Sequence, residues 1–408
     1  MTTADIGAEI ATEIEEFDPL GEKFVNSPWT EFKRMRESCR AYRHVGTLMP
    51  VVSFFRDSDL REIRADWETW SSARLAESNK HGLRAGALMV GQDPPDHTKY
   101  RNIIAPMFMP GRIGALQPAI DGHVKKLLDQ AIDAGEIDFM EDIGGALATA
   151  TIGTICGIPE QDWPLIREIT VIFARDYGKA PLYKEPQPEV EARLREAEAK
   201  LLPFIVSHIQ NLRKSNTPSI LLDVADQVED NFAVMGLCAL IIGAGVDTSA
   251  NLMVNGLWEL MQKPDQMRWL RNNPDKINQA VEECIRCRGS LRRSERVAAR
   301  DLEFDGVQIN RGDTVMIWNA SASRDPEVVP DRPDEFDVQR VAKRHMGFGA
   351  GIHMCIGNVL ARLEARTLYS ELIRRTSRTE ETHGADSYEH WGNGVTDAAK
   401  RYSVSLHS

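Results

Sequence analysis

Residues Phe348 to Arg362 read Phe-Gly-Ala-Gly-Ile-His-Met-Cys-Ile-Gly-Asn-Val-Leu-Ala-Arg, and no other stretch limits the possible folds as much. Cys355 sits among glycines directly before a helical pattern that spans 358–374. Gly349, Gly351 and Gly357 let the backbone turn tightly and approach something flat and bulky. A sulfur just before a helix start faces the positive end of the helix dipole, which favours thiolate over thiol. Such a thiolate is a good ligand for a soft or borderline metal. Two plainer readings compete. A lone cysteine in a glycine loop can be a small buried hydrophobe. Gly347, Gly349 and Gly351 could cradle a phosphate, but no Lys-Ser/Thr follows and no dinucleotide spacing is completed.

The segment closely resembles the haem-binding loop of the cytochrome P450 family, Phe-Gly-x-Gly-x-His-x-Cys-x-Gly followed by a helix carrying Leu-Ala-Arg, and every fixed position is filled. The resemblance implies that Cys355 is the axial thiolate on haem iron, with Phe348 and Gly349 in the cofactor's bed. A thiolate there pushes electron density to iron and favours O–O cleavage. It also implies a mainly α fold with small β-sheets, residues 1–408 forming one cytochrome P450 domain. Haem b would be buried between a long central helix and the Cys-bearing loop and helix.

Bulk properties agree with one helical body. A length prior of ~150 residues per domain suggests two or three domains, but no linker, low-complexity tract or internal repeat marks a boundary. The net charge of −12 argues against a nucleic-acid surface. Arg340, Lys343, Arg344, Arg362 and Arg366 still gather around the Cys355 segment. They read either as a solvated face or as a docking patch for an acidic partner. The six cysteines, Cys39, Cys156, Cys238, Cys284, Cys287 and Cys355, show no disulfide framework, which fits a reducing compartment. Cys284 and Cys287 lack a second pair of ligands for zinc. Met1 to Phe17 is acidic and lacks a basic n-region before an apolar core, which argues against a signal peptide. No uninterrupted apolar run approaches the ~20 residues of a bilayer span; the longest, 232–246, fits a buried core helix. A soluble, cytoplasmic, monomeric protein without membrane contact is expected.

Along the chain, 43–55 reads as extended segments and 57–66 as a short amphipathic helix. Residues 71–95 are irregular, a length of loop that is usually functional. Helical spacing returns over 96–108, with Asp96 as N-cap, and continues from 113 through 212 with breaks at Gly135, Pro159 and 181–188. The last break is a second candidate flap. Residues 231–262 and 276–287 read as helices. Alternation at Val307, Ile309, Val315 and Ile317 predicts two short strands around a turn at 310–313. Residues 402–406 alternate as a terminal strand.

The long helix carries Gly243-Ala244-Gly245-Val246-Asp247-Thr248. An interior glycine costs ~1 kcal/mol of helix stability relative to alanine, so two beside an acid and a hydroxyl have a packing or functional reason. Ala244, Gly245, Asp247 and Thr248 match the family's Ala-Gly-x-Asp/Glu-Thr motif on the oxygen side of the haem. The resemblance gives Thr248 the oxygen-side hydrogen bond and Asp247 the proton supply, which is general acid chemistry. The small residues would leave room for a diatomic ligand. Glu283 and Arg286 match the family's Glu-x-x-Arg motif, implying a buried ion pair that supports the haem loop and is joined by Arg340 or His345. His97 and Arg101, four apart on one helix face, match the family's propionate pair. Arg296 and His353 complete the propionate partners. One departure stands out. The family usually has proline soon after the Glu-x-x-Arg arginine, whereas Cys287-Arg288-Gly289-Ser290-Leu291 has none. Leu291 and Ser294 become pocket candidates, together with the turn at 391–396.

The resemblance implies a monooxygenase that takes electrons, ultimately from NAD(P)H, through a ferredoxin or flavodoxin-type donor at the basic face. Its substrate is expected to be a small, mainly apolar organic molecule, lined by Leu75, Leu83, Leu88, Met89 and Val90. Arg74, Lys80, His81 and Arg84 read either as a solvated loop or as a hold for a carboxylate. No cysteine cluster for an iron–sulfur centre occurs, so no fused reductase is expected. A peroxide-driven peroxygenase and a non-catalytic haem sensor or carrier are the competing functions.

Overall fold

The computed structural model describes residues 16–73, 88–177, 188–341, 344–391 and 394–408. Among them, the helices of two turns or more are α1 (Trp29–Ser38), α2 (Asp57–Ala65), α3 (Asp96–Ile104), α4 (Gln117–Ala134), α5 (Ala146–Cys156), α6 (Trp163–Tyr177), α7 (Pro188–Ser215), α8 (Ile220–Gln227), α9 (Asn231–Met261), α10 (Pro264–Asn272), α11 (Ile277–Arg288) and α12 (Asn358–Arg375). The strands are β1 (Ala41–Arg43), β2 (Val51–Phe54), β3 (Trp70–Ser71), β4 (Glu136–Asp138), β5 (Ser294–Ala298), β6 (Leu302–Phe304), β7 (Val307–Ile309), β8 (Thr314–Ile317), β9 (Arg378–Glu381), β10 (Tyr388–Trp391) and β11 (Ala398–His407). This is the expected mainly helical fold with small sheets.

The axis of the molecule is α9. Asp230 caps it, its side chain accepting from the Phe232 amide at 3.0 Å. Apolar residues occur all round this helix, so it can only be a core helix or a membrane span. By length and apolarity it does reach what a span needs, unlike the uninterrupted-run estimate, but 61% of the relevant window is buried inside the protein. Helices α5, α6, α7, α11 and α12 and the π-helical turn Phe139–Gly145 pack around it. Glycines bring these neighbours close. A Cβ at Gly144 would lie 2.9 Å from Val254, and one at Gly256 would lie 2.1 Å from the Tyr369 hydroxyl.

A five-stranded sheet runs β1-β2-β8-β5-β3, with β2 and β8 parallel. Strand β11 pairs with β10, β4 and β9. Phe17, Phe24, Phe32 and Phe55 pack around Trp318 beneath the first sheet.

Local readings needed revision where turn chemistry or non-local pairing prevailed. β7 and β8 flank 310–313 as expected, but they belong to different sheets. β7 pairs with β6 instead. The two-residue turn between them, Asp305 at φ 51° and Gly306 at φ 78°, suits a tight hairpin. Asp96 is the first residue of α3 and makes no cap; Pro95 holds that position, and the His97 amide bonds to the Asp93 carbonyl at 2.9 Å. β4 interrupts the helical stretch after Gly135, because its pairing with the distant β11 decides its conformation. The helix expected to end at Leu212 continues to Ser215.

Candidate active site

The Cys355 loop is shaped by backbone hydrogen bonds. The Cys355 amide donates to the Phe348 carbonyl at 2.9 Å and the Gly349 amide to Met346 at 2.9 Å. Gly349 and Gly351 adopt φ of 67° and 69°, the left-handed region that suits glycine. A Cβ at Gly351 would also meet the Arg64 carbonyl at 2.6 Å. Arg64 of α2 thus packs beneath the loop, donating to Ser294 and Asn319 at 2.7 Å each. Asn358 opens α12 and donates to the Cys355 carbonyl at 2.7 Å.

Cys355 is exposed, unlike Cys284 and Cys287 of α11, Cys156 of α5 and Cys238 of α9, which are buried. Crowding by protein on its other sides pushes the thiol above its usual range. The Gly357 amide and the charges of Arg101 and Arg362 oppose this only in part. The helix start alone therefore does not make the thiolate expected from the sequence. A bound cation would complete that change, since a coordinating thiol is deprotonated outright.

One turn of α9 faces open space. Ala244 is exposed and Gly243, Gly245 and Thr248 are half-buried, in a helix otherwise largely enclosed. Thr248 Oγ1 donates to the Ala244 carbonyl at 2.6 Å. Asp247 is buried; its Oδ2 accepts from Asn251 Nδ2 at 2.8 Å and its Oδ1 lies 3.9 Å from Arg167 Nη1. Arg167 also reaches Glu141 at 3.2 Å. Gly245 differs from the expectation. A Cβ there would meet Ile152 Cδ1 of α5 at 2.3 Å, so its small size serves a helix crossing, while Ala244 supplies room on the open face.

The four expected propionate partners come together from three segments, α3, β5 and the Cys355 loop. His97 and His353 stand with ring centroids 4.3 Å apart. His353 Nε2 lies 3.1 Å from Ser72 Oγ, and Arg101 donates to the Met354 carbonyl at 2.7 Å. Arg296 is buried and donates to the Glu295 carbonyl at 2.6 Å. Neither ring nitrogen of His97, which is 2% exposed, has a hydrogen-bond partner among the described residues. Burial, then Arg296, His97, Arg64 and Arg101, lowers His353 to about 2. Burial and the neighbouring Arg296 and Arg61 lower Arg64 to about 9. Asp93 is the acid near this group; it accepts from Ser71 Oγ at 2.5 Å and lowers the cost of the Arg296 charge. Arginines that repel one another, around two imidazoles of which one has no hydrogen-bond partner among the described residues, form a bed for anionic groups. Two propionates of haem b fit that bed, and Cys355 is the thiol that would hold its iron. Arg64, Ser72 and Asp93 were not among the sequence candidates.

Behind the loop, Arg286 Nε lies 2.7 Å from Glu283 Oε2, both side chains fully buried. Arg340 joins at 3.2 Å, while His345 pairs with Glu282 at 3.1 Å. The basic patch is correspondingly reduced. Arg340 is paired with Glu283, Arg344 with Asp57 at 2.7 Å and Arg362 with Glu282 at 2.5 Å; Arg366 donates to Gln117 at 3.1 Å. Lys343 lies outside the described residues. The local sequence could not show this, because the compensating acids come from α2 and α11.

Of the pocket candidates, Leu291 is exposed and bridges to Thr396. Ser294 instead holds Arg64 and Asn319, at 2.7 and 3.1 Å. Val90 is exposed and Met89 buried. Leu75, Leu83, Arg74, Lys80, His81 and Arg84 lie outside the described residues, as do 392–393 and most of the 181–188 flap.

The family model described as Cytochrome P450 matches residues 189–406, just over half of the chain. Cytochrome P450(MEG) of Priestia megaterium is 28% identical over 384 residues, covering 90% of this chain and 91% of its own. The Putative cytochrome P450 140 of Mycobacterium tuberculosis is 32% identical over 305 residues, covering 72% and 68%. Among solved structures, P450BioI in complex with hexadec-9Z-enoic acid ligated acyl carrier protein superposes with a TM-score of 0.86 at 26% identity, covering 95% of this chain and 100% of that one.

Proposed function

This chain belongs to the cytochrome P450 family, and from that premise we propose that it inserts one atom of O2 into a small, mainly apolar organic substrate, by hydroxylation or O-dealkylation, and releases the other atom as water. The observation that carries this reading is the pair on one turn of α9. Thr248 is on the open face, and beside it Asp247 is a buried acid with its own supporting residues. A haem carrier needs no such acid, and a peroxide-driven enzyme needs no proton supply of this kind.

Haem b, which the family implies, supplies O2 activation and oxygen transfer when bound. Cys355 would hold its iron as a thiolate, with Phe348 and Gly349 in the cofactor's bed. His97, Arg101, Arg296 and His353 would pair with the propionates, with Arg64 adding charge beneath. Ala244 keeps the oxygen-side face low. Asp247 takes protons from the Arg167–Glu141 side, where Glu141 is exposed, and passes them toward the Thr248 hydroxyl. Asn251 keeps that carboxylate turned to its task. Leu291, Leu88 and Val90 offer an apolar lining of the usual kind. Acyl chains on a carrier protein join free apolar molecules in the substrate screen, since P450BioI was solved with such a ligand. Electrons would come, ultimately from NAD(P)H, through a separate ferredoxin or flavodoxin-type donor at the face of Arg362 and Arg366. The enzyme is read as a cytoplasmic, single-domain monomer.

The reduced protein with carbon monoxide should show the red-shifted Soret band of a thiolate-ligated haem, and Cys355→Ser should abolish it. A retained band in the variant overturns the ligand. Asp247→Asn should keep that band yet slow substrate-dependent NAD(P)H consumption by roughly 10²-fold, the lower end for a lost general acid, with a larger solvent isotope effect. Turnover that is faster with hydrogen peroxide alone than with O2 and reductant would overturn the monooxygenase reading.

A further inference from the structure

The stretch that lacks the family's proline is held by charge instead. Asp397, 0% exposed, stands between two buried arginines: Arg288 Nε is 2.7 Å from its Oδ2 and Arg292 Nη2 2.6 Å from its Oδ1. These arginines bracket Gly289-Ser290-Leu291. Glu259 of α9 lies 3.7 Å from Arg288, which balances the second positive charge. The backbone is fixed at the same point. The Asp397 amide donates to the Ser290 carbonyl at 2.8 Å, the Arg292 amide to Val395 at 2.8 Å, and Asn255 of α9 donates to the Asp397 carbonyl at 2.7 Å. Within the bracketed stretch, Ser290 Oγ donates to the carbonyl of Thr248 at 2.5 Å, and Leu291 bridges Thr396.

Proline would have stiffened this backbone by fixing its own φ. Glycine at 289 does the opposite, so the path of Ser290 and Leu291 depends on what grips its two ends. We propose that Asp397 is a positioning residue: by holding Arg288 and Arg292 it keeps Ser290 on the Thr248 carbonyl and Leu291 beside Thr396, and so sets the oxygen-side turn of α9 and the adjoining pocket wall. The proposal rests on the monooxygenase reading of Thr248. A carboxylate shared by two guanidiniums suits the role: Arg292 Nη2 donates a short charge-assisted hydrogen bond to Asp397 Oδ1 at 2.6 Å, Arg288 makes a close ion pair with Oδ2 at 2.7 Å, and the two together constrain both ends of the stretch.

The haem-loaded protein tests it through the C–O stretching band of the reduced carbon-monoxide complex, which reports the polar surroundings on the Thr248 side independently of turnover. Ser290→Ala leaves every charge in place and should shift or broaden that band while the Soret position and the melting temperature hold. Asp397→Asn should shift it further and lower the melting temperature. The double variant Arg292→Gln/Asp397→Asn restores the charge balance, with Arg288 left to Glu259. It should regain the melting temperature but not the band, because one end of the stretch is still loose. A wild-type band in the double variant would make Asp397 a charge-balancing residue only and overturn the proposal, as would an unmoved band in Ser290→Ala. Absence of the red-shifted Soret band in the unmodified protein would instead sink the monooxygenase reading itself.

Discussion

Glu283→Ala should be among the most damaging single changes in this protein, lowering unfolding free energy by about 3–5 kcal/mol, the cost of leaving a buried ion without its partner. Glu283 Oε1 accepts from Arg286 Nη2 at 2.8 Å, from the Asp337 amide at 2.8 Å and from Arg340 Nε at 3.2 Å. Burial works against the Arg286 charge, and Glu283, with Cys287 and Asp334 contributing, offsets it. Without the carboxylate, Arg286 keeps only neutral acceptors, the carbonyls of Ser323, Pro333 and Glu335 and the Cys287 sulfur. The damage should reach the Cys355 loop, because α11 abuts its start: a Cβ at Gly347 would lie 2.5 Å from Ile285 Cγ2. Glu283→Gln keeps the shape and part of the hydrogen bonding, so a loss of ~1–3 kcal/mol is expected. Denaturant midpoints of the three proteins, with haem-to-protein ratios after gel filtration, measure both effects. Equal midpoints for Glu283→Ala and the parent would show that the pair carries no stability.

The Glu283–Arg286 pair was legible in the sequence because it lies within one helical turn, and so was the loop around Cys355, whose glycines and cysteine lie within ten residues of one another. The α9 face was legible for the same reason, apart from one side chain. Gly245 looks like space for a ligand when read along its own helix, whereas it is space for Ile152, contributed by α5. Arg64 and Asp397 had no local signature at all. Arg64 acts on Ser294 across 230 positions and Arg292 meets Asp397 across 105. The basic patch fails similarly: its arginines cluster in the sequence, while Asp57 and Glu282, which pair with Arg344 and Arg362, arrive from other elements. Spacing within one element reveals which side chains share a face. It does not reveal which distant charge that face will meet.

A buried acid outside the active site should make stability fall as pH rises toward 8. Glu364 of α12 is 1% exposed, and neither carboxyl oxygen has a hydrogen-bond partner of good geometry among the described residues. Burial raises it to about 8; Ser249 of α9 and Thr151 of α5 approach it and pull the other way, too weakly to prevail. An unfolded glutamate ionises near ~4.3. Between those values the folded protein holds a proton that the unfolded chain has released, so stability falls as pH rises. The contribution is fully present below about pH 4.3, declines by ~1.4 kcal/mol per pH unit, and is lost as pH passes through about 8. The total is of order 4–5 kcal/mol, an upper figure because local relaxation and water penetration soften such penalties. Glu364→Gln keeps the volume and a neutral, hydrogen-bonding group, so it should flatten this slope and stabilise the protein at pH 8 relative to the parent, while changing little at pH 5. Unfolding free energies of both proteins at half-unit steps from pH 5 to 9 measure the difference. Parallel curves would place the Glu364 ionisation in the ordinary carboxylate range, with the charge accommodated among α5, α9 and α12.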